Sequence, residues 1–182
     1  MSVEVVAWSP HWAEQFAAVA AVLRDAVAGI PGARVEHVGS TSVPGLAAKP
    51  ILDIDVIVDR ADVTSAITAL GRVGYVHRGD LGVADREAFR APDRSPHRHV
   101  YVCAAGSLNV RNHLAVRDVL RRRDDLRDAY AAVKRTLADD PDMDLDTYLA
   151  GKSAVVQEVL RASGELTDAE LLAIRRLNDP PA

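Results

Sequence analysis

The sequence predicts a mixed α/β (α+β) domain, a β-sheet flanked by helices and followed by a helical C-terminal part. Three observations predict it. An apolar run over residues 51–58, broken only by Asp53 and Asp55, reads as a buried strand. Shorter strand-like segments lie on either side of it within the first 105 residues. From Gly106 onward the apolar residues recur at helical spacing almost to the end.

Taken in order, Pro10 opens a helix whose stripe is Trp12, Phe16, Val19, Leu23 and Val27, and the glycines at 29 and 32 stop it. Trp8, Trp12 and Phe16 read as core packing. Residues 34–38 form a short strand ending in a turn of small residues, Gly39, Ser40, Thr41 and Ser42. Residues 61–70 return to helical period through Val63, Ile67 and Leu70, and Gly71 and Gly74 end that segment. Residues 87–90 and 97–103 read as strands, separated by a loop with two prolines. In the helical part, Leu126, Tyr130, Val133 and Leu137 make one stripe. Residues 139–144 make a proline-containing break, beyond which Leu145, Tyr148, Leu149, Val156, Val159 and Leu160 continue the pattern. Thr167 and Glu170 have capping-box spacing before a last helix through Leu171, Ile174 and Leu177, and residues 178–182 read as a fraying tail. The layout is one domain over residues 1–182, with an α/β part to about residue 105 and a helical part from 106.

Composition narrows the class. The chain is 48% hydrophobic, 26% charged and only 4% aromatic, which predicts an aliphatic core. A formal net charge of −4 argues against broad nucleic-acid binding through bulk electrostatics, while leaving room for a local basic pocket. A single cysteine, Cys103, excludes an internal disulfide and suits a reducing compartment; it reads as buried. No apolar stretch nears the roughly 20 residues needed to span a bilayer, and no signal-peptide pattern opens the chain. The expectation is a soluble, cytoplasmic protein without a membrane partner, of unstated oligomeric state.

The chemistry concentrates in residues 39–55. Alternation on a strand puts Asp53 and Asp55 on one face with Ile51 and Ile57, opposite the apolar face of Leu52, Ile54, Val56 and Val58. Two carboxylates on one partly apolar face are desolvated and repel each other, so a compensating cation is expected. Mg²⁺, bound by hard oxygen ligands, is the simplest candidate. The plain alternative, two acids on an exposed sheet edge, fits the flanking apolar residues poorly. Gly39 permits positive φ or close backbone approach, and Ser40, Thr41 and Ser42 supply hydroxyl and amide donors for phosphate oxygens. An ordinary polar turn would look similar in isolation. The spacing is not that of a Walker A loop. Lys49, just ahead of the aspartate strand, could reach a phosphate or neutralise the carboxylates.

Gly39-Ser40, then twelve residues, then Asp53-Ile54-Asp55-Val56 resembles the signature of the nucleotidyltransferase superfamily. More closely, Glu36-His37-Val38-Gly39-Ser40-Thr41-Ser42-Val43-Pro44-Gly45-Leu46-Ala47-Ala48-Lys49-Pro50-Ile51 resembles the GrpB family. Residues 97–102, 112–118, 130–137 and 148–152 extend the resemblance over nearly the whole chain. It implies a nucleotidyltransferase-like mixed sheet flanked by helices, a Gly-Ser turn that holds nucleotide phosphates, and an Asp-x-Asp strand that holds Mg²⁺. The superfamily often folds helices over the nucleotide, which brings forward Lys134 and Lys152.

Transfer to a hydroxyl commonly uses a third carboxylate as metal ligand or base. The strand over residues 97–103 has none. Glu87 is the nearest acidic candidate on the preceding strand, with Asp85 close by. His99, which shares a face with His97 and Tyr101, can replace the missing acid as a base, and Glu36 and His37 precede the turn. Arg117 and Arg121, Arg122 and Arg123, accompanied by Asp118, Asp124 and Asp125, read as a solvated, ion-paired helix face. The expected function is Mg²⁺-dependent transfer of a nucleotide, AMP from ATP favoured, to a small-molecule or protein acceptor. Asp53, Asp55, His99 and Glu87 are its catalytic candidates. Gly39, Ser40, Thr41, Ser42, Lys49 and Lys152 are its phosphate-binding candidates. The competing readings are an inactive nucleotide-binding or interaction module, and a helper domain related to those fused to dephospho-CoA kinases.

Overall fold

The computed structural model describes residues 4–140 and 144–178. The strands and helices follow the hydrophobic periods. Helix α1 (His11–Ala26) leads into β1 (Arg34–Val38), followed by a 3₁₀ turn over Ser40–Ser42. Strand β2 (Leu52–Val58) is followed by α2 (Val63–Arg72), β3 (Val76–His77), β4 (Arg86–Arg90) and β5 (Arg98–Ala104). Among the described residues five helices follow: α3 (Leu108–Arg122), α4 (Asp124–Ala138), α5 (Leu145–Gly151), α6 (Ser153–Ser163) and α7 (Asp168–Asn178). The expected proline-containing break and C-terminal tail fall partly outside the described residues, at 141–143 and 179–182.

The sheet order is β1-β2-β5-β4-β3. Strand β2 pairs antiparallel with β1 and parallel with β5, and β4 pairs antiparallel with both β5 and β3. The parallel step needs a crossover, which α2, β3 and β4 supply. The two sheet faces have different uses. Leu52, Ile54, Val56, Val58, Val100, Val102 and Phe89 face α1 and α2, where Trp12, Val19, Leu23, Ala66 and Leu70 complete the main core. On the other face, Ile57 and Cys103 pack under Val110 of α3, leaving Asp53, Asp55, His99 and Tyr101 toward the end of the strands. Helices α3, α4 and α6 bury Val119, Leu120, Leu126, Tyr130, Val155 and Val159 with Val43 and Leu46, so the segment after the 3₁₀ turn is held by the helical part. Helix α7 closes on Ala115 and Leu160 through Leu171 and Ile174. Its capping box forms: the Thr167 amide donates to Glu170 Oε2 at 2.8 Å and the Glu170 amide to Thr167 Oγ1 at 3.3 Å.

Candidate functional site

Strand β1 ends in Gly39, whose φ of +67° and ψ of −175° belong to a region open essentially to glycine. Val38 is in register with Asp53, so the chain turns directly over the first aspartate. The turn is fixed from within. Ser42 Oγ donates to the Gly39 carbonyl at 2.6 Å, and Thr41 Oγ1 donates to the Ile51 carbonyl at 3.2 Å. Having used its one proton, Thr41 Oγ1 accepts from His37 Nε2 at 3.0 Å. His37 stacks on Phe16 with ring centroids 4.5 Å apart, and burial lowers its pKa to about 4. Thr41 and Ser42 are buried and use their hydroxyls to brace the turn, whereas the expectation from sequence offers these hydroxyls, with the turn's amides, to phosphates. Ser40 stands apart, its side chain bonding with the Tyr130 phenol.

Asp53 and Asp55 share one face of β2, in register with His99 and Tyr101. Each carboxylate meets a histidine. Asp53 Oδ1 lies 3.0 Å from His99 Nδ1, and Asp55 Oδ2 lies 2.8 Å from His113 Nδ1. The Asp53 hydrogen bond raises the His99 pKa against burial and the charges of Lys49 and Arg86. Burial alone would lower that of His113, but the charge and hydrogen bond of Asp55 carry it above its ordinary value. Asp55 is fully buried, and beyond the weakly donating Cys103 thiol its Oδ1 has no hydrogen-bond partner among the described residues.

His113 was not among the sequence candidates. It lies on α3, one turn before Arg117, and projects over the sheet; its only signal was that residues 112–118 belong to the family-like stretch. Glu87 is not brought to the site. It is in register with Val102, so its side chain leaves the sheet on the opposite face, where Oε2 lies 2.6 Å from His77 Nε2. Asp85 pairs with Arg60. Arg117 and Arg121 also depart from the expected solvated face. Arg117 donates to Glu36 at 2.8 Å and to the His37 carbonyl at 3.2 Å, and Arg121 donates to the Ser42 carbonyl at 2.7 Å. They tie α3 to the Gly-Ser turn. Arg123 and Asp125 do form an exposed ion pair. Cys103 is buried, which pushes its thiol pKa up.

Three lysines and two tyrosines line the other side of the turn. Lys49 Nζ and Lys152 Nζ lie 4.2 Å and 4.4 Å from the Tyr148 ring centroid, and Lys134 Nζ lies 4.6 Å from that of Tyr130. Burial lowers the pKa of Lys134 to about 7 and of Lys152 to about 8. Lys134 Nζ and Ser153 Oγ are buried without hydrogen-bond partners among the described residues. A cleft of about 150 Å³ runs from Gly39 between α3 and α6, lined by Asn112, His113, Tyr130, Lys152 and Ser153 among others. On the far side of the aspartates, the Arg86 guanidinium lies 4.6 Å over the Tyr101 ring.

The donor set can be tested against a divalent cation. Among the described residues no group of three or more His, Cys, Asp or Glu side chains is placed to hold a metal ion. Mg²⁺ does not need one. It is typically held by one or two carboxylates with substrate phosphates and waters completing the shell. Asp55 Oδ1, buried beside Asp53 and with no hydrogen-bond partner among the described residues beyond the weakly donating Cys103 thiol, fits such an arrangement.

The model of the family described as GrpB protein matches residues 2–162. The chain belongs to the GrpB family. A relative, the UPF0157 protein BH1888 of Halalkalibacterium halodurans, is 38% identical over 162 residues, 88% of this chain and 82% of that protein. The crystal structure of the conserved protein GrpB from Enterococcus faecalis matches with a TM-score of 0.75 and 32% identity, covering 89% of this chain and all of that one. The GLD-2/RNP-8 complex matches at a TM-score of 0.55 and 14% identity over 84% of this chain and 60% of its own, a likeness of fold alone. The dephospho-CoA kinase of Mycolicibacterium paratuberculosis is 26% identical over 193 residues, 92% of this chain and 47% of that protein. The mixed β-sheet flanked by helices, with a helical C-terminal part, expected of a GrpB-family chain is the one found. Among the described residues no helix is long and apolar enough to cross a membrane.

Proposed function

We propose that this GrpB-family protein is a Mg²⁺-dependent nucleotidyltransferase that moves AMP from ATP to an acceptor. The observation that carries this reading is the pair Asp53 and Asp55, each with one oxygen tied to a histidine, and Asp55 with its second oxygen buried and met by no donor stronger than the Cys103 thiol among the described residues. A buried carboxylate oxygen without a partner costs free energy that a cation offsets. When bound, Mg²⁺ supplies charge neutralisation of the triphosphate and of the pyrophosphate leaving group.

The chain's own residues do the rest. Asp53 and Asp55 would hold the ion, and His99 and His113 fix the carboxylates that face it, as outer partners orient metal ligands elsewhere. Gly39 lets backbone approach the metal side without a Cβ in the way, and Ser40 offers the one turn hydroxyl directed toward the cleft helices. Lys49 and Lys152, with Lys134 behind them, offset phosphate charge. The lysines' desolvation, costly in isolation, is relieved when an anion enters.

The dephospho-CoA kinase that this chain spans by about half favours a second reading, a nucleotide-binding helper module without transfer activity. One set of measurements separates the readings. Melting temperatures with ATP, GTP, CTP and UTP, with and without Mg²⁺, should show an Mg²⁺-dependent shift largest for ATP and lost in Asp53→Asn/Asp55→Asn. Pyrophosphate release from ATP across a metabolite library then marks the transferase; Mg²⁺-dependent binding with no release under any addition marks the module. If no nucleotide moves the melting temperature in either condition, both readings fall.

A further inference from the structure

The acceptor side of the aspartate face has a composition of its own. In the register of β2, β5 and β4, Asp55 stands beside Tyr101 and Ile57 beside Cys103, which is itself paired with Arg86. All of these side chains leave the sheet on the same face. Arg86 lies flat on Tyr101 with Cζ 4.6 Å from the ring centroid, and Tyr101 is in turn 6.4 Å, centroid to centroid, from His99. Among the described residues, Arg86 Nε is buried with no hydrogen-bond partner, and no carboxylate lies within ion-pair distance of the guanidinium. Both nearby aspartates are instead taken by histidines. A guanidinium held on an aromatic ring, partly desolvated and without an anion, is a preformed receptor for an oxyanion.

The chemistry of the face agrees. A hydroxyl acceptor must lose a proton as it attacks phosphorus, which calls for a base. The acid expected for that task, Glu87, lies on the other face of the sheet. His99 is tied through Nδ1 to Asp53, the carboxylate that would hold the metal, which leaves only its Nε2 for any proton transfer. An oxyanion carries no proton to remove, so it needs a cation to hold it beside the metal carboxylates and no base.

We propose that the acceptor is an oxyanion, the carboxylate of an organic acid or a phosphate monoester, held by Arg86 over Tyr101 beside Asp55. This deepens the transferase reading and rests on it for the chemical step. In that step one acceptor oxygen forms a bond to the α-phosphorus of the nucleotide. The bond from that phosphorus to the bridging oxygen breaks, and pyrophosphate leaves with the electron pair. No proton is transferred. The product is a mixed anhydride of AMP.

The docking site can be tested without nucleotide, so its failure is distinct from failure of ATP to bind. In the ¹⁵N-arginine-labelled protein, titration with benzoate or phenyl phosphate should move the Arg86 Nε resonance, and benzyl alcohol should not. The signal is identified by its loss in Arg86→Lys. With Mg·ATP, pyrophosphate release should be driven by a library of carboxylic acids or of phosphomonoesters and not by matched alcohols; the active library names the oxyanion. Arg86→Lys keeps the charge and loses the planar fork. It should raise the acceptor KM by roughly 10- to 100-fold, the worth of a charged hydrogen bond, with the KM for ATP unchanged. An Arg86 resonance indifferent to both anions, or release driven by alcohols, overturns the proposal.

Discussion

Gly39 and Asp53 meet so closely that a Cβ on the glycine would stand 2.9 Å from both Cβ and Cγ of the aspartate. The same glycine has φ of +67° and ψ of −175°, where a side chain is strained whatever the space around it. The Gly-Ser turn and the Asp-x-Asp strand are therefore one unit, coupled through a missing side chain. Gly39→Ala should displace the Asp53 carboxylate. It should weaken Mg·ATP binding by at least about tenfold and lower stability by roughly 1–3 kcal/mol, read by calorimetric titration and urea unfolding. Binding equal to the parent protein would show that the contact does not position the carboxylate.

The second aspartate depends on α3. His113 Nδ1 lies 2.8 Å from Asp55 Oδ2, and the Cys103 thiol is the other, weaker, partner of that buried carboxylate among the described residues. Removing the histidine in His113→Leu should cost roughly 1.5–3 kcal/mol near pH 6, the range for hydrogen bonds to charged groups. The pH dependence has a definite sign. The folded pKa of His113 is raised, so its contribution is fully present below the ordinary histidine value and is lost as pH rises through the folded one. Urea midpoints of parent and variant should therefore differ most near pH 6 and converge in alkali. Mg·ATP, which would supply Asp55 with another partner, should narrow the gap; an unchanged gap with ligand bound would place His113 outside the site.

How much of this could be read from the sequence follows from the range of each interaction. Strand β2 and the face shared by Asp53 and Asp55 come from alternation, a local property, and helix α1 comes from its stripe. The Thr167 and Glu170 box is local as well. Glu87 was misplaced because the face it takes depends on its register with Val102, set by pairing with a distant strand. A one-residue shift would have turned it toward the aspartates. His113 and Asp55 are 58 positions apart, and Arg117 and Glu36 are 81 apart, separations that no periodicity reports. Thr41 and Ser42 looked like ligand donors because a hydroxyl that braces its own turn and one that faces a substrate are the same letter.

The bracing of that turn gives an acid-sensitivity prediction. His37 donates to Thr41 Oγ1 and is held neutral, its pKa lowered to about 4, with burial as the main cause. The unfolded chain takes up the proton first, so between the ordinary value of 6.5 and about 4 stability falls as pH falls. The loss should be on the order of 2–3 kcal/mol. In His37→Leu, which cannot titrate, the urea midpoint should change less over that window, although the variant starts lower because Thr41 has lost its donor. A parent and a variant with parallel pH profiles would show that His37 is not the titrating group.

Lys134 has the same pH sign as His37, in a higher window, and separates stability from function. It is almost fully buried in α4, its Nζ has no hydrogen-bond partner among the described residues, and burial lowers its pKa from 10.5 to about 7. Below pH 7 both folded and unfolded chains carry the charge, and the desolvation penalty is felt in full. Between about 7 and 10.5 the unfolded chain binds more protons than the folded one, so stability rises with pH. Lys134→Met fills similar volume without the charge. It should stabilise the ligand-free protein by on the order of 2–4 kcal/mol at pH 6.5, with the gain shrinking to nothing near pH 10.5. In the proposed transferase its charge would serve the phosphates of a nucleotide beside Lys152 and Ser40. The same variant should therefore lose most of the melting-temperature shift that Mg·ATP gives the parent. A variant that is both more stable and equally shifted by Mg·ATP would remove Lys134 from the phosphate site and leave its burial without a functional reason.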